Sequence, residues 1–216
     1  MKSTRDARLS NTWKAIDARR RFLMKAAGLT GCFAGLNAYG SDVEPSAGRV
    51  HAVQNKKAPP FTKVVQVAMV VRDVDASVRR YWDDLGIGPW KLYTLGPSNM
   101  SNMTFHGKPV QHSFRAALTD IGDMEWELIQ PLDSRSAYAE HLSKHGEGLH
   151  HVAFDVQDFG QVSRELESKG YEKVQTGSPW GIETYAYFNL NRGLACMAEL
   201  NSNATGPMPP PDSTYP

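Results

Sequence analysis

The stretch Val64–Asp73 (VVQVAMVVRD) returns in the second half of the chain as Leu149–Asp158 (LHHVAFDVQD). Each copy alternates apolar and polar residues and ends at an aspartate, which predicts a strand followed by a helix that the aspartate caps. A later strand in each copy carries a carboxylate, Glu127 in the first and Glu199 in the second. The chain is therefore predicted to contain an internal repeat.

The predicted fold class is α+β, with two tandem β-α-β-β-β modules, 62–133 and 148–200, that form one cupped mixed sheet. A short helix over 134–144, capped by Ser136, is expected to join them. In the first module we expect a helix that is capped by Asp73 or Asp75 and runs through Leu85, and later strands at 90–95, 113–120 and 124–130. In the second we expect strands at 149–156, 171–176, 183–189 and 195–199 and a helix at 159–169.

Charge is distributed unevenly along the chain. Residues 1–60 carry 11 Lys and Arg against 4 Asp and Glu, whereas the remaining residues carry 13 against 19. Because the predicted domain is mildly acidic, it has no excess of positive charge to neutralise phosphates, and nucleic acid is not an expected partner.

Residues 1–40 resemble an export signal. The run Arg19-Arg20-Arg21-Phe22-Leu23-Met24-Lys25 is similar to the twin-arginine motif, and a modest apolar stretch follows it. Leu29-Thr30-Gly31-Cys32 resembles a lipobox, which makes Cys32 a candidate lipid anchor; the alternative is a small residue in an apolar stretch. The expected location is the periplasm, as a free or lipid-anchored protein.

Two further segments have compositions that do not favour folding. Residues 41–61 are predicted to be a linker, and the proline-rich residues 201–216 to be a disordered tail. The second cysteine of the chain, Cys196, lies in an apolar run and is interpreted as a buried small residue rather than a nucleophile.

Four polar residues occupy equivalent places in the two copies: Gln66, Glu127, His151 and Glu199. Each residue taken singly also has a structural interpretation without a metal. Gln66 would then be an exposed edge residue, His151 a core histidine and Glu127 a solvent-facing residue. Taken together, an imidazole, two carboxylates and an amide oxygen suit one divalent ion such as Zn, Ni, Co, Mn or Fe. His150, the neighbour of His151, is expected on the opposite face of the strand.

The layout resembles the vicinal oxygen chelate superfamily, which includes glyoxalase I, methylmalonyl-CoA epimerase, extradiol dioxygenases and bleomycin-resistance proteins. The residues that carry this resemblance are 70–75 (VVRDVD), 85–90 (LGIGPW), 127–132 (ELIQPL) and 148–154 (GLHHVAF). The resemblance implies metal ligands at Gln66, Glu127, His151 and Glu199. Epimerases usually have histidine where Gln66 stands, so the set is closer to that of eukaryotic glyoxalase I.

The resemblance also implies a reaction. A metal would act as a Lewis acid on a small chelating carbonyl or hydroxy substrate, and a carboxylate, Glu199 or Glu127, would remove a proton to form an enediolate-like intermediate. The extra glutamate that epimerases carry on a middle strand of the first module is missing from 105–119. His106 and His112 are the candidate substitutes, with an ordinary loop or edge position as the alternative for both.

Two function classes remain open. The first is a metal-dependent lyase or isomerase of glyoxalase or epimerase type, and the second is a non-catalytic protein that binds a small molecule or an antibiotic. An extradiol dioxygenase is disfavoured because Gln66 replaces the second histidine of its usual ligand set. Trp90, Trp126 and Trp180 are candidates to line the substrate pocket, with ordinary core packing as the alternative. A homodimer with exchanged modules is compatible with the superfamily.

Overall fold

The structure, a computed structural model, describes residues 60–216. The export motif, the lipobox at Cys32 and nearly all of the predicted linker lie outside these residues. Within residues 60–216, none of the helices has the length and apolar character needed to cross a membrane.

Eleven strands and four helices follow one another in the described part. In the first copy they are β1 (Lys63–Val70), α1 (Val74–Leu85), β2 (Trp90–Leu95), β3 (Met100–Phe105), β4 (Lys108–Pro109), β5 (Phe114–Ile121) and β6 (Met124–Pro131). After the linking helix α2 (Ala137–His145), the second copy contains β7 (Gly148–Asp155), α3 (Phe159–Ser168), β8 (Lys173–Pro179), β9 (Tyr185–Asn189), α4 (Asn191–Leu194) and β10 (Met197–Asn201). Strand β11 (Ser213–Tyr215) comes last.

All eleven strands form one mixed sheet in the order β11-β2-β5-β6-β1-β7-β10-β9-β8-β3-β4. Within each copy the first strand is parallel to the last, β1 to β6 and β7 to β10, and the copies join where β1 runs antiparallel to β7. The predicted α+β fold with two tandem modules in one sheet is therefore confirmed. The sheet is open, since β11 and β4 form its two edges.

Helices α1, α2 and α3 begin at caps that the sequence predicts, whereas the short α4 was not predicted. Asp73 and Asp158 have nearly the same backbone conformation, with φ of −141° and −139°, and each side chain accepts a hydrogen bond from the backbone N–H three residues later. Ser136 caps α2 in the same way. This side-chain bond satisfies one of the free N–H groups in the first helical turn. The matching caps of α1 and α3 support the internal repeat.

The β3–β4 hairpin, which the sequence analysis missed, is joined to β2 by a short connection that curves the sheet. Strands β2 and β3 are consecutive in the chain, yet they stand near opposite ends of the strand order. The four residues between Leu95 and Met100 can span at most about 17 Å, so these two regions of the sheet must approach each other. The contact between the Tyr93 and Trp180 rings, 5.5 Å apart, lies across this gap. The sheet therefore encloses a concave face.

Apolar side chains fill both faces of the sheet. The concave face carries a core that includes Ala68, Tyr93, Met103, Tyr138 and Tyr187. On the convex face, one core lies beneath α1 and a second lies beneath α3. The prediction for Cys196 is confirmed, since this free cysteine is buried.

The prediction of a disordered tail is wrong for its last residues. Ser213–Tyr215 pair antiparallel with β2, and the Asp212 side chain accepts a hydrogen bond from the backbone N–H of Thr94 at 2.7 Å. The proline-rich composition made this segment look unable to fold by itself. It gains its hydrogen bonds from the open edge of β2 instead.

Candidate metal centre

The four predicted donors lie on the four central strands of the sheet, β6, β1, β7 and β10. In the first copy Gln66 pairs with Glu125 and Ala68 with Glu127; in the second His151 pairs with Met197 and Ala153 with Glu199. In both copies, therefore, an alanine pairs with the glutamate, and the polar residue, Gln66 or His151, comes two residues before that alanine. The repeat holds at the level of register, and it brings the two pairs together across the β1–β7 junction.

All four side chains meet around one atom, Nε2 of His151. Oε2 of Glu199 lies 2.6 Å from it, Oε1 of Gln66 3.3 Å and Oε2 of Glu127 3.6 Å. The side chain of His151 is fully buried, and Glu127 and Glu199 expose about a tenth or less of their side chains. Three oxygen atoms therefore surround one buried ring nitrogen.

Burial controls the charge of these groups. Desolvation raises the pKa of Glu199 to about 8 and that of Glu127 well above its ordinary value, and the neighbouring Glu199 raises the latter further. The same loss of water lowers the pKa of His151 to about 3. Without a cation, the site therefore favours neutral carboxyl groups and a neutral imidazole.

A third glutamate, which the sequence analysis did not select, belongs to the same cluster. Oε1 of Glu125 accepts a hydrogen bond from Nε2 of Gln66 at 2.8 Å, and this bond directs the amide oxygen of Gln66 towards His151. Desolvation raises the pKa of Glu125 to about 7. Residues two apart on a strand share a face, so the spacing of Glu125 and Glu127 was the sequence signal for this residue.

His150 also lies at the site, contrary to the expectation that it points to the opposite face. The register between β1 and β7 shifts between Ala68–His151 and Met69–Leu149, so His150 is the extra residue of a β-bulge. Its Nδ1 lies 2.9 Å from Nδ1 of His151, and both rings are buried. The bulge interrupts the alternation on which the expectation was based.

Tyrosines surround the two histidines. The Tyr187 ring lies 4.6 Å from the His151 ring, and its hydroxyl is 2.8 Å from that of Tyr138. Gln175 donates a hydrogen bond to the Tyr185 hydroxyl at 3.2 Å. These contacts hold the wall of the site in place.

The three tryptophans do not act together. Trp90 is fully buried beneath α1, where its Nε1 donates to the carbonyl of Ile87 and its ring packs edge-on against Tyr81. Trp126 packs against the same convex core. Their assignment to the substrate pocket is therefore wrong, because both point away from the face that carries the donors. Trp180 packs against the concave core beside Tyr93.

Within the described residues, no hydrogen bond or ion pair joins His106 or His112, the two histidines considered as substitute bases, to the four predicted donors. His106 lies at the surface in the β3–β4 turn, where its two ring nitrogens contact Glu172 at 2.6 Å and Glu140 at 3.2 Å. His112 is buried in the concave core between the rings of Phe114 and Tyr138, and its ring nitrogens have no hydrogen-bond partner.

The chemical types of the four predicted donors fit a divalent ion, but two of the donor atoms lie closer together than two ligands of one ion do. Oε2 of Glu199 is buried and forms no hydrogen bond of normal geometry despite lying 2.6 Å from His151. Two buried atoms that face each other in this way, without a hydrogen aligned between them, are an arrangement that two ligands of one ion adopt. Ligands of a zinc ion stand roughly 3 Å or more apart, so Glu199 and His151 would have to separate slightly to bind one. In the described part of the chain, no three His, Cys, Asp or Glu side chains already form a group that could hold a metal ion.

Comparisons with known proteins agree with this fold. Residues 65–188 match the family model of the Glyoxalase/Bleomycin resistance protein/Dioxygenase superfamily. None of the curated proteins matches the sequence.

Two solved structures illustrate the likeness in fold. Methylmalonyl-CoA epimerase from Mycobacterium tuberculosis has 22% sequence identity and a TM-score of 0.50, over 68% of this chain and 92% of the epimerase. A hypothetical protein from Bacillus halodurans C-125 has 19% identity and a TM-score of 0.52, over 68% of this chain and 98% of the other. With the family match, the repeated module and the shared fold, the chain belongs to the Glyoxalase/Bleomycin resistance protein/Dioxygenase superfamily.

Proposed function

We propose that the protein is a metal-dependent lyase or isomerase that acts on a small substrate with two adjacent oxygen atoms. The observation that carries the proposal is the meeting of Gln66, Glu127 and Glu199 around Nε2 of His151, within 3.6 Å. Burying two carboxyl groups beside an imidazole costs free energy unless a cation or a proton compensates them. A binding site for a cation explains why these groups share one buried position.

Gln66, Glu127, His151 and Glu199 would hold one divalent ion, and their two carboxylates would balance its charge. Such an ion supplies Lewis-acid chemistry by polarising the oxygen atoms of a chelating substrate. Loss of a proton from the carbon next to a carbonyl is the step that this chemistry favours. The substrate would enter from the concave face, where the partly buried Trp180 packs against the ring of Tyr93.

Proton removal requires a carboxylate near the donors. Glu199 and Glu127 remain candidates if one of them leaves the ion. Glu125 is a better candidate, because it lies beside the donors and is not needed as one of them. Its hydrogen bond from Gln66 also ties its position to that of the ligand set. We therefore assign Glu125 the role that a middle-strand glutamate has in the epimerases.

The test separates the ligands from the base. Purified protein is incubated with Zn, Ni, Co, Mn or Fe(II), desalted and analysed for metal; wild type should retain about one ion per chain. His151→Ala and Glu127→Gln should lose it, whereas Glu125→Gln should keep it. With a panel of 2-hydroxy ketones in deuterated water, proton NMR should show exchange of the α-hydrogen by wild type and little by Glu125→Gln. A wild type that retains no divalent ion would refute the proposal.

Binding without turnover is the second candidate function. It is favoured by the aromatic character of the concave core, in which Tyr93, Tyr185 and Tyr187 are buried and Trp180 is only partly buried. Saturable binding of an aromatic chelator such as a catechol, together with no α-hydrogen exchange for any 2-hydroxy ketone, would support this function against the first.

We further propose that the chain is exported by the twin-arginine route, on the motif at 19–25. Expression of the full chain in a bacterial host should place it in the periplasmic fraction, and Arg20→Lys with Arg21→Lys should retain it in the cytoplasm. Labelled palmitate should be incorporated by wild type and not by Cys32→Ser if Cys32 carries a lipid. Sedimentation of the purified protein tests the expected homodimer.

A further inference from the structure

A buried pair of neighbouring imidazoles lies behind the candidate metal centre. Nδ1 of His150 and Nδ1 of His151 are 2.9 Å apart, and each ring is at most 1% exposed. A neutral imidazole has one N–H and one lone pair. A hydrogen bond between these two atoms therefore requires that only one of them carries a hydrogen. The tautomer of one ring consequently determines the tautomer of the other.

We propose that His150 is the positioning residue of this site. Its Nδ1 accepts a hydrogen bond from the Nδ1–H group of His151, which leaves Nε2 of His151 free to donate its lone pair to a metal ion. The proposal rests on the proposed function. Nε2 is the atom that faces Glu199, Gln66 and Glu127, so Nε2 is the atom that would bind the ion. The proton of His151 must then lie on Nδ1, and Nδ1 of His150 accepts it.

The β-bulge makes this contact available. In a regular strand, successive side chains point to opposite faces, and His150 would lie on the convex side. The extra residue at His150 turns its ring towards the concave core, where it also contacts Tyr138 at 5.2 Å and Tyr187 at 5.3 Å between ring centroids. These two rings prevent His150 from turning away from His151.

The two copies differ at this position. The register also shifts between Val64 and Gln66 of β1, which makes Val65 the extra residue immediately before Gln66, as His150 is before His151. A glutamine ligand binds through an amide oxygen and has no tautomer to control, and an apolar residue precedes it. A histidine ligand needs its second nitrogen satisfied, and a histidine precedes it. The difference between Val65 and His150 thus matches the difference between the ligands.

The test combines a spectroscopic signature with metal affinity. In ¹⁵N-labelled protein, a scalar coupling between the two Nδ1 atoms across the N–H···N bond should be observed, and with zinc the proton should be assigned to Nδ1 of His151. In competition with a chelator, His150→Leu should weaken zinc binding by about 10–100-fold. His150→Asn, whose amide places an acceptor near the position of Nδ1, should restore most of the affinity.

His112→Leu is the matched control, since it removes another fully buried histidine from the same core and should keep the wild-type zinc affinity. The proposal is overturned if the Nδ1–Nδ1 coupling is missing, or if His150→Leu binds zinc as tightly as wild type does. A wild type that shows the coupling and binds no divalent ion would refute the proposed function instead. In that case the hydrogen bond between His150 and His151 would exist but would not position a metal ligand. The coupling is measured on the wild type, so a poorly folded His150→Leu variant does not remove the test.

Discussion

Oε2 of Glu199 lies 2.6 Å from Nε2 of His151, with both side chains buried where the two copies of the module meet. Burial raises the pKa of Glu199 to about 8 and lowers that of His151 to about 3. Near neutral pH, the metal-free pair is therefore a neutral carboxyl beside a neutral imidazole. A divalent ion would favour the opposite state of the carboxyl, and this competition between proton and ion can be measured.

The first prediction concerns the pH dependence of stability without metal. The folded state keeps the Glu199 proton up to about pH 8, whereas the unfolded chain loses it near the ordinary value of 4.5. Since the folded state binds more protons at Glu199 in this window, the contribution of Glu199 to the free energy of unfolding should fall as pH rises from about 4.5 to 8. The buried His150 and His151, whose lowered pKa works in the opposite direction, add no slope above about pH 6.5, so the fall should be clearest between pH 6.5 and 8. Glu199→Gln should flatten this trend in urea titrations with a chelator present. The surface variant Asp123→Asn should behave like wild type, and an unchanged slope in Glu199→Gln would contradict the prediction.

The second prediction concerns metal and pH together. Binding of an ion requires that the carboxyl groups lose their protons, so zinc affinity should increase between pH 5 and 8. The increase in melting temperature at a fixed zinc concentration should therefore grow with pH. His151→Ala should show no zinc-dependent increase at any pH. A zinc effect of equal size at pH 5 and pH 8 would count against these donors.

The strands and caps were predictable because they depend on local pattern. Strand β2 has the predicted bounds, Trp90–Leu95, and Asp73 and Ser136 cap their helices. The meeting of Gln66, Glu127, His151 and Glu199 was predictable because the repeat places equivalent residues on equivalent strands.

The features of the fold and of the site that the sequence did not predict depend on contacts between distant segments. Strand β3 pairs with β8 of the other copy, and β11 with the edge of β2, so neither partner is visible from the local sequence. His150 was misplaced because one bulged residue reverses the alternation. Trp90 and Trp126 were misassigned because an aromatic residue suits a core as well as a pocket.

The third prediction distinguishes Trp90, a tryptophan of the convex core, from Trp180, a candidate to contact the substrate. Trp90→Leu removes a fully buried ring and its hydrogen bond to Ile87, so it should lower the free energy of unfolding by about 3 kcal/mol. Zinc affinity should not change, because Trp90 lies on the convex side. Trp180→Leu should cost less stability, since Trp180 is only partly buried, and should weaken binding of aromatic ligands. Comparison of urea unfolding with ligand titration for the two variants checks the assignment.

The fourth prediction concerns the β3–β4 turn. Hydrogen bonds to Glu172 and Glu140 raise the pKa of His106, and His106 joins the turn to α2 and to the segment before β8. This contribution is complete below the ordinary pKa of histidine and is lost as pH rises through the raised value. It should amount to less than about 1 kcal/mol, because these side chains are substantially exposed. Amide hydrogen exchange of Thr104 and Phe105 should therefore become faster, relative to the intrinsic rate, above that pH in wild type and not in His106→Asn.

The two edges of the open sheet have a consequence for the behaviour of the protein in solution. An unpaired strand edge offers free N–H and C=O groups to other chains and favours aggregation. Here β11 has three residues and is followed by Pro216, and β4 has two residues and ends at Pro109. Proline has no N–H to offer, and such short edges leave little length for another strand to pair with. By covering the longer β2, the last residues of the chain protect an eleven-stranded sheet from edge-to-edge association.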